Sequence, residues 1–283
     1  MKKTLRLMGL CALAVLALAG CKKNVSEPKT TIQATISQLK GGTRTGVNSD
    51  KDLVWNNTDQ IKVYNGTEAS AIFTTEADDV TQAEFTSTET LDVTDGCVAF
   101  YPAADVTVSE GNYILPLKAV QNGAANTFNT DTYPMYALYN NGNFAFQSPC
   151  ALLGLPLKGD ATIGSIVLTS TNPDEKLSGY YSFVPGDMIF QFVGTTDPYP
   201  FVGIGNSVAL DFGENGLQLT DTPTTVYFTL PAFRLADGFT VVFKGLDGST
   251  LYEKTAGAQE DPTSAQTILM MPAVTVNAPS VVN

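Results

Sequence analysis

Short apolar segments, rich in β-branched and aromatic residues, recur along the whole chain at intervals of roughly ten residues. Gly, Asn and Pro fill the positions between them, and no stretch keeps the period of an amphipathic helix. The strongest turn signal is Asn141-Gly142, which lies between two apolar runs and predicts a hairpin. The pattern therefore predicts an all-β chain built of sandwiches or barrels.

The chain of 283 residues is longer than a single sandwich domain usually needs. The same strand pattern begins again after Lys158, so we place a domain boundary there. One large sandwich is the alternative. The predicted organisation is a signal peptide at 1–20, a tether at 21–30, an N-terminal β-sandwich domain at 31–158 and a C-terminal β-sandwich domain at 159–283.

The N-terminus has the form of a lipoprotein signal. Lys2, Lys3 and Arg6 precede an apolar run at 10–19, which is too short for a typical transmembrane helix. The run ends in Leu-Ala-Gly before Cys21, the pattern of a bacterial lipobox. We expect cleavage before Cys21 and acylation of its thiol and new amino group, which would anchor the chain stably to a membrane. An ordinary signal peptide that contains a Cys is the alternative.

Composition excludes several function classes. The formal charge is −12, which argues against nucleic acid as a partner. The chain contains no His, so Ser-His-Asp and Cys-His catalysis and the commonest metal ligand are excluded. The adjacent carboxylates at 78–79 and 174–175 would point to opposite faces of a strand, and neither 50–52 nor 260–261 has calcium-loop spacing. We expect no enzyme, no metal and no cofactor.

Two cysteines remain in the mature chain besides Cys21. Cys97 and Cys150 both lie in apolar, strand-like runs. In an extracytoplasmic protein they could form a disulfide, or they could be two buried free thiols. The sequence alone leaves both possibilities open.

The segment at 31–39 combines a strand pattern with an exposed continuation. Ile32, Ala34 and Ile36 alternate with polar residues, which is typical of a strand with one buried face. Two glycines follow, and Arg44 comes next in what we expect to be an exposed loop. The chain thus offers a strand that is tethered upstream and open to proteolysis downstream, although Arg44 could equally be an ordinary solvated loop residue.

Several short motifs occur in a characteristic order along the chain, and together they make the sequence resemble the fimbrillin and Mfa-like lipoproteins of Bacteroidales. That family comprises subunits of lipoprotein-derived pili. The motifs are the lipobox at Cys21, the early strand followed by Thr43-Arg44, WNNTDQIKVY at 55–64, AFYP at 99–102, Leu115-Pro116 with Gln121, YPMYA at 133–137 and LSG at 177–179.

The resemblance implies a fold, a location and a mode of assembly. The fold would be two β-sandwich domains of transthyretin-like topology, and the chain would reach the cell surface as a palmitoylated lipoprotein of the outer membrane. An arginine-specific protease would cut after Arg44, leave Thr45 as the new N-terminus and remove the first strand. A strand of the next subunit would then fill the groove that Ile32, Ala34 and Ile36 had occupied. The partners would be other fimbrial subunits, and the processed protein would belong to the fimbrium.

Two other interpretations stay open. Only residues 277–283 follow the last expected strand, so a tip, accessory or anchor subunit fits as well as a stalk subunit. The chain could instead be a monomeric surface lipoprotein that binds a glycan or a host or bacterial surface protein. Its candidate stacking platforms are Tyr133, Tyr136 and Tyr139, and separately Tyr199 and Phe201.

Overall fold

The computed structural model describes residues 30–39, 53–66, 68–184, 189–193, 205–233 and 235–279, with only the backbone at 189 and 190. Within these ranges no helix is long and apolar enough to cross a membrane. Besides two single-turn 3₁₀ helices, Ala103–Asp105 and Thr130–Thr132, the regular elements of the described residues are strands, which confirms the all-β class. In chain order they are β1 (Thr30–Ile36), β2 (Gln60–Asn65), β3 (Ala69–Thr74), β4 (Gln82–Ser87), β5 (Val98–Tyr101), β6 (Thr107–Ser109), β7 (Asn112–Leu117), β8 (Val120–Asn122), β9 (Met135–Asn140), β10 (Asn143–Phe146), β11 (Cys150–Gly159), β12 (Thr162–Ile163), β13 (Ser165–Ser170), β14 (Gly179–Val184), β15 (Ile189–Phe192), β16 (Ser207–Asp211), β17 (Leu217–Gln218), β18 (Thr224–Pro231), β19 (Phe239–Lys244), β20 (Thr250–Ala256), β21 (Ile268–Met270) and β22 (Val274–Val276).

The first sheet closes on itself in the order β1-β10-β9-β5-β2-β3-β4. β1 completes the ring, because it pairs in parallel with β10 on one side and antiparallel with β4 on the other. The predicted hairpin is confirmed: β9 and β10 are joined by Asn141 and Gly142, whose φ angles of 50° and 85° match a type I′ turn.

A second sheet, β15-β14-β7-β6, packs against the outside of this ring. The packing explains why every residue of β5 is buried. Successive side chains of a strand point to opposite faces. Tyr101 therefore contacts Trp55 inside the ring, at 5.6 Å between ring centroids, while Phe100 contacts Tyr113 of the outer sheet at 5.1 Å.

The second core lies between two further sheets. β11 pairs with β18 on one side and with β21 and β22 on the other, and this sheet faces the sheet β20-β19-β13-β16-β8. β12 and β17 form a separate pair. Leu152 of β11 packs in the first core and Leu153 in the second, so β11 is buried on both faces. A strand that is buried on both faces has a continuous apolar sequence without alternation, and residues 150–157 have such a sequence.

Two strand pairs each join a strand that precedes the expected boundary at Lys158 to one that follows it. β14 follows that position in the sequence and pairs with β7, which precedes it. β8 precedes it and pairs with β16, which follows. Lys158 itself lies near the end of β11. The division into domains at 31–158 and 159–283 stays a prediction.

A substitution at Gly159 tests the junction between β11 and β22. Its φ is +135°, and a Cβ added there would lie 2.0 Å from the carbonyl oxygen of Val276. Gly159→Ala should therefore lower the free energy of unfolding by at least about 2 kcal/mol. The measurement is urea denaturation followed by circular dichroism.

Gly142→Ala is the matched control, because Gly142 also has a positive φ but an added Cβ would meet nothing within 4 Å. It should cost about 1 kcal/mol, the conformational penalty alone. Equal losses for the two variants would mean that Val276 does not approach Gly159 as closely as the structure has it.

Candidate functional site

β1 fills a groove between β4 and β10. On the inner face Ile32 lies opposite Phe85, Ala34 lies between the two neighbouring strands, and Ile36 lies beside Phe146. These neighbours are all buried, and the groove therefore has an apolar lining. We call this space the β1 groove, lined by Ala83 and Phe85 of β4 and by Phe144 and Phe146 of β10.

The alternation predicted for this strand is confirmed. The exposed fractions are 5% for Ile32, 0% for Ala34 and 7% for Ile36. Thr31, the residue before Ile32, is exposed. Burying two isoleucine side chains stabilises the folded chain by roughly 3–6 kcal/mol in total. That is a large share of the stability of a typical domain, about 5–15 kcal/mol.

Trp55 forms the floor of the β1 groove. Its ring makes edge-to-face contacts with Phe85 on one wall, at 5.0 Å, and with Phe146 on the other, at 5.2 Å. Its backbone pairs with Val80 through two hydrogen bonds of 2.7 and 3.3 Å. Trp55 is fully buried and is the only Trp in the chain. Its fluorescence therefore reports directly on the state of this groove.

Gln38, just after β1, ties the strand to the next described segment. Its side-chain amide nitrogen donates to the Leu53 carbonyl at 3.0 Å, and its amide oxygen accepts from the Leu53 backbone nitrogen at 2.6 Å. The side chain thus imitates a backbone strand pair. It brings together the two ends of the segment 40–52, which contains Arg44. Nothing in the local sequence predicts this contact, because the partners are far apart along the chain.

A polar cluster closes the end of the groove near Ile36. The Tyr101 hydroxyl donates to Asp59 and also lies 3.1 Å from the Thr130 hydroxyl, while Asp59 accepts from the backbone nitrogen of Asn56. Ile36 and Asp59 line the same small cavity. Burial raises the pKa of the Asp59 carboxyl above its ordinary value, against the lowering effect of the Asn56 hydrogen bond.

Three of the predicted site residues lie outside the described residues: Cys21, Arg44 and Thr45. Lipidation at Cys21 and cleavage after Arg44 stay predictions. The structure describes the flanks of the cleavable segment, which are Leu39 on one side and Leu53 on the other.

Cys97 and Cys150 are not bonded to each other in the structure, and both are buried. Burial raises the pKa of the Cys150 thiol to about 12, against the lowering effect of hydrogen bonds with Tyr181 and Ser148. A thiol in such surroundings is unreactive, because the thiolate is the reactive form.

The three tyrosines predicted as a stacking platform do not form one surface. Tyr133 is buried in the first core, and Tyr139 packs on Phe144 at 5.0 Å. Tyr136 is half-buried and lines a cleft. Tyr199 and Phe201 lie outside the described residues.

In each of the acidic pairs 78–79 and 174–175, one carboxylate accepts hydrogen bonds from the surrounding protein. Glu175 accepts hydrogen bonds from the Ser170 hydroxyl and from the backbone nitrogen of Leu235, and Asp78 accepts from the backbone nitrogen of Asn57. In the part of the chain that the structure covers, no three His, Cys, Asp or Glu side chains come together in a way that could hold a metal ion.

Comparison with known proteins shows the fold. No protein-family model and no curated protein sequence matches the chain. Among solved structures, the chain is similar to a proposed cell adhesion protein from Bacteroides uniformis, with a TM-score of 0.51, 16% identity and coverage of 89% of this chain and 94% of that one. The resemblance to a Bacteroidales group noted in the sequence agrees with this fold.

Two further solved structures are similar at lower scores. One is a proposed cell adhesion protein from Bacteroides ovatus, with a TM-score of 0.44, 14% identity and coverage of 83% and 87% of the two chains. The other is the tip fimbrial protein Mfa3 from Porphyromonas gingivalis, with a TM-score of 0.30, 10% identity and coverage of 83% of each chain. Scores this low add nothing to the assignment of the fold.

Thiol titration tests the state of the two cysteines. The chain from residue 22 onward lacks Cys11 and Cys21, so only Cys97 and Cys150 remain. Because both thiols are buried, Ellman's reagent at pH 8 should detect almost none in the native protein and two in guanidinium chloride. Detection of none in guanidinium would show that the two cysteines form a disulfide.

Proposed function

We propose that this chain is a cell-surface fimbrial subunit or accessory adhesin that assembles by exchange of its first strand. It would be made as a lipid-anchored precursor of the outer membrane. The observation that carries the proposal is the position of β1. It completes a closed ring of strands and buries a full apolar face, and it is joined to the next described residue only through the segment 40–52, which contains Arg44.

Loss of β1 would create a strong driving force for a replacement strand. The backbone groups of β4 and β10 that now pair with β1 would become the edges of an open sheet, and unpaired sheet edges recruit other strands. The lining of the β1 groove would be exposed to water at the same time. A strand from another subunit, with small or branched apolar residues at alternate positions, satisfies both requirements by β-augmentation.

The Gln38 contact fits a precursor that holds its strand firmly. The two hydrogen bonds to Leu53 keep the ends of the 40–52 segment together, so a cut within this segment would not by itself release β1. The ladder to β4 and β10 and the buried isoleucines would still hold it. Release would therefore be coupled to the arrival of another strand, because the groove is costly to leave empty.

Three kinds of observation support a role at the cell surface. The sequence begins with a basic and apolar segment that ends at Cys21, in the form of a lipobox. The strongly acidic composition suits a protein outside the cell. The fold is similar to that of a proposed cell adhesion protein. We assign the chain to the structural and adhesive proteins and not to the enzymes.

Peptide complementation tests the groove directly. A chain that begins at Thr45 should show Trp55 emission at a longer wavelength than a chain that begins at Thr30, because water would reach the floor of the β1 groove. Addition of a peptide with the sequence of residues 30–39 should restore the shorter wavelength. The measurement is tryptophan fluorescence as a function of peptide concentration.

Two altered peptides separate groove filling from non-specific binding. Ala34→Asp places a charge on the inner face, where the native side chain is 0% exposed, and this peptide should not restore the emission. Thr31→Asp places the same charge on the exposed face and should leave binding within a few-fold of the native peptide. The proposal fails if both peptides bind alike or if the shortened chain keeps its native emission.

Substitution of Arg44 tests the processing step. Arg44 and Arg234 are the only arginines that remain after the signal peptide. Arg44→Lys keeps the charge but removes the side chain that an arginine-specific protease would recognise. The first strand should then stay in place, and electron micrographs of the cell surface should show no polymers. Arg234→Lys is the matched control and should assemble normally. Normal assembly by the Arg44→Lys protein would contradict the processing step.

A further inference from the structure

A cleft of about 480 Å³ lies away from the β1 groove, where the outer sheet of the first core meets the end of β18. Its walls come from β9, β14 and β15, from the end of β18, and from the segments that lead into β11 and β21. We call it the β14–β18 cleft. Its volume is within the range of about 300–1,000 Å³ that small-ligand sites occupy. None of its lining residues belongs to the β1 groove.

One wall of the cleft is aromatic and held in place. The rings of Tyr181 and Phe192 lie 5.1 Å apart. Tyr136 and Gln147 exchange two backbone hydrogen bonds of 2.9 Å, and the Gln147 amide also donates to the Tyr136 hydroxyl at 2.9 Å. The Tyr181 hydroxyl donates to the Pro149 carbonyl at 3.3 Å. These contacts fix the rings before any ligand arrives, which lowers the entropy cost of binding.

Three glutamine side chains add donors and acceptors. Gln147 and Gln191 are exposed, and each amide carries two donor hydrogens and an acceptor oxygen. Gln266 is different, because its side chain is nine-tenths buried and its amide nitrogen has no hydrogen-bond partner within the described part of the chain. It also has a φ of +61°, in the left-handed region that non-glycine residues rarely adopt.

Both features of Gln266 cost free energy. An unpaired buried amide loses its hydrogen bonds with water, and a left-handed backbone strains a residue with a side chain. The backbone nitrogen of Gln266 donates to the Cys150 carbonyl at 2.6 Å, so the segment is fixed in this conformation. A hydrogen bond between a ligand and the Gln266 amide would relieve the first of these costs.

The described residues that line the cleft include a positive charge and no negative one, although the chain as a whole is acidic. The chain contains 28 Asp and Glu residues, yet none is among the described residues that line this cleft. The one charged side chain among them is Lys176, which is exposed and makes no ion pair with a described residue. Its ammonium group donates to the Pro173 carbonyl at 2.9 Å. The neighbouring Glu175 carboxylate is directed to Ser170 and to the Leu235 backbone.

We propose that the β14–β18 cleft binds a saccharide that carries a carboxylate. The C–H face of the sugar ring packs on Tyr136 and Phe192, the half-buried rings of the aromatic wall, and its hydroxyl groups exchange hydrogen bonds with the glutamine amides. The carboxylate accepts a charge-assisted hydrogen bond from the ammonium group of Lys176. This site acts independently of the exchange of β1.

Calorimetric titration of the chain from residue 22 onward tests the ligand class. The acidic probes are trigalacturonate and sialyllactose, and their neutral counterparts are the methyl esters of the same two saccharides, in which every carboxylate is esterified. We expect one acidic probe to bind at least tenfold more tightly than its neutral counterpart, and the probe that binds identifies a uronic or a sialic acid as the source. Absence of binding by both acids, or equal binding of acid and neutral forms, would overturn the proposal.

Substitutions then locate the site. Lys176→Glu should weaken binding of the acidic probe at least tenfold, while Lys158→Glu, the same change at another exposed lysine, should leave it unchanged. Gln266→Gly removes the amide and suits the positive φ, so it should abolish binding without lowering the melting temperature. Equal affinity of the Lys176→Glu and wild-type chains, or unchanged binding by the Gln266→Gly chain, would place the ligand elsewhere.

Discussion

The contact between the inner face of β1 and the aromatic layer beneath it decides whether the first core is complete. Trp55 spans the β1 groove from Phe85 on β4 to Phe146 on β10, and Ile36 of β1 lines the same small cavity as Trp55. All these side chains are buried in the structure, in which β1 occupies the groove. Under the proposed function, the position of β1 is held either by β1 itself or, after its removal, by a strand of the same pattern from another subunit.

Two strands that are buried on both faces connect this contact to the rest of the molecule. β5 packs on Trp55 with one face and on the outer sheet with the other. β11 contributes Leu152 to the first core and Leu153 to the second. The pairing of β7 with β14 and of β8 with β16 adds backbone connections between early and late parts of the chain. The β14–β18 cleft lies at a junction between these sheets, apart from the β1 groove.

Local patterns predict the all-β class, β1 and the β9–β10 hairpin, whereas they do not predict the short strands β6, β8 and β12 or the contacts between distant segments. The alternation of Ile32, Ala34 and Ile36 indicated the buried face of β1, and Asn141-Gly142 indicated the hairpin, because both signals depend on neighbours in the sequence. The contact of Gln38 with Leu53 and the pairing of strands across Lys158 depend on tertiary structure alone. The three tyrosines at 133, 136 and 139 have different surroundings in the fold although they share one segment, because burial depends on tertiary contacts and not on residue type.

The most direct test of the account is the intact mass and N-terminal sequence of the protein in its assembled form, isolated from the cell surface. If β1 is exchanged during assembly, the assembled chain begins at Thr45, without lipid and without β1, while the unassembled precursor begins at an acylated Cys21. An assembled chain that still begins at Cys21 and carries its acyl groups would contradict the account, because the β1 groove would then remain filled by the chain's own first strand.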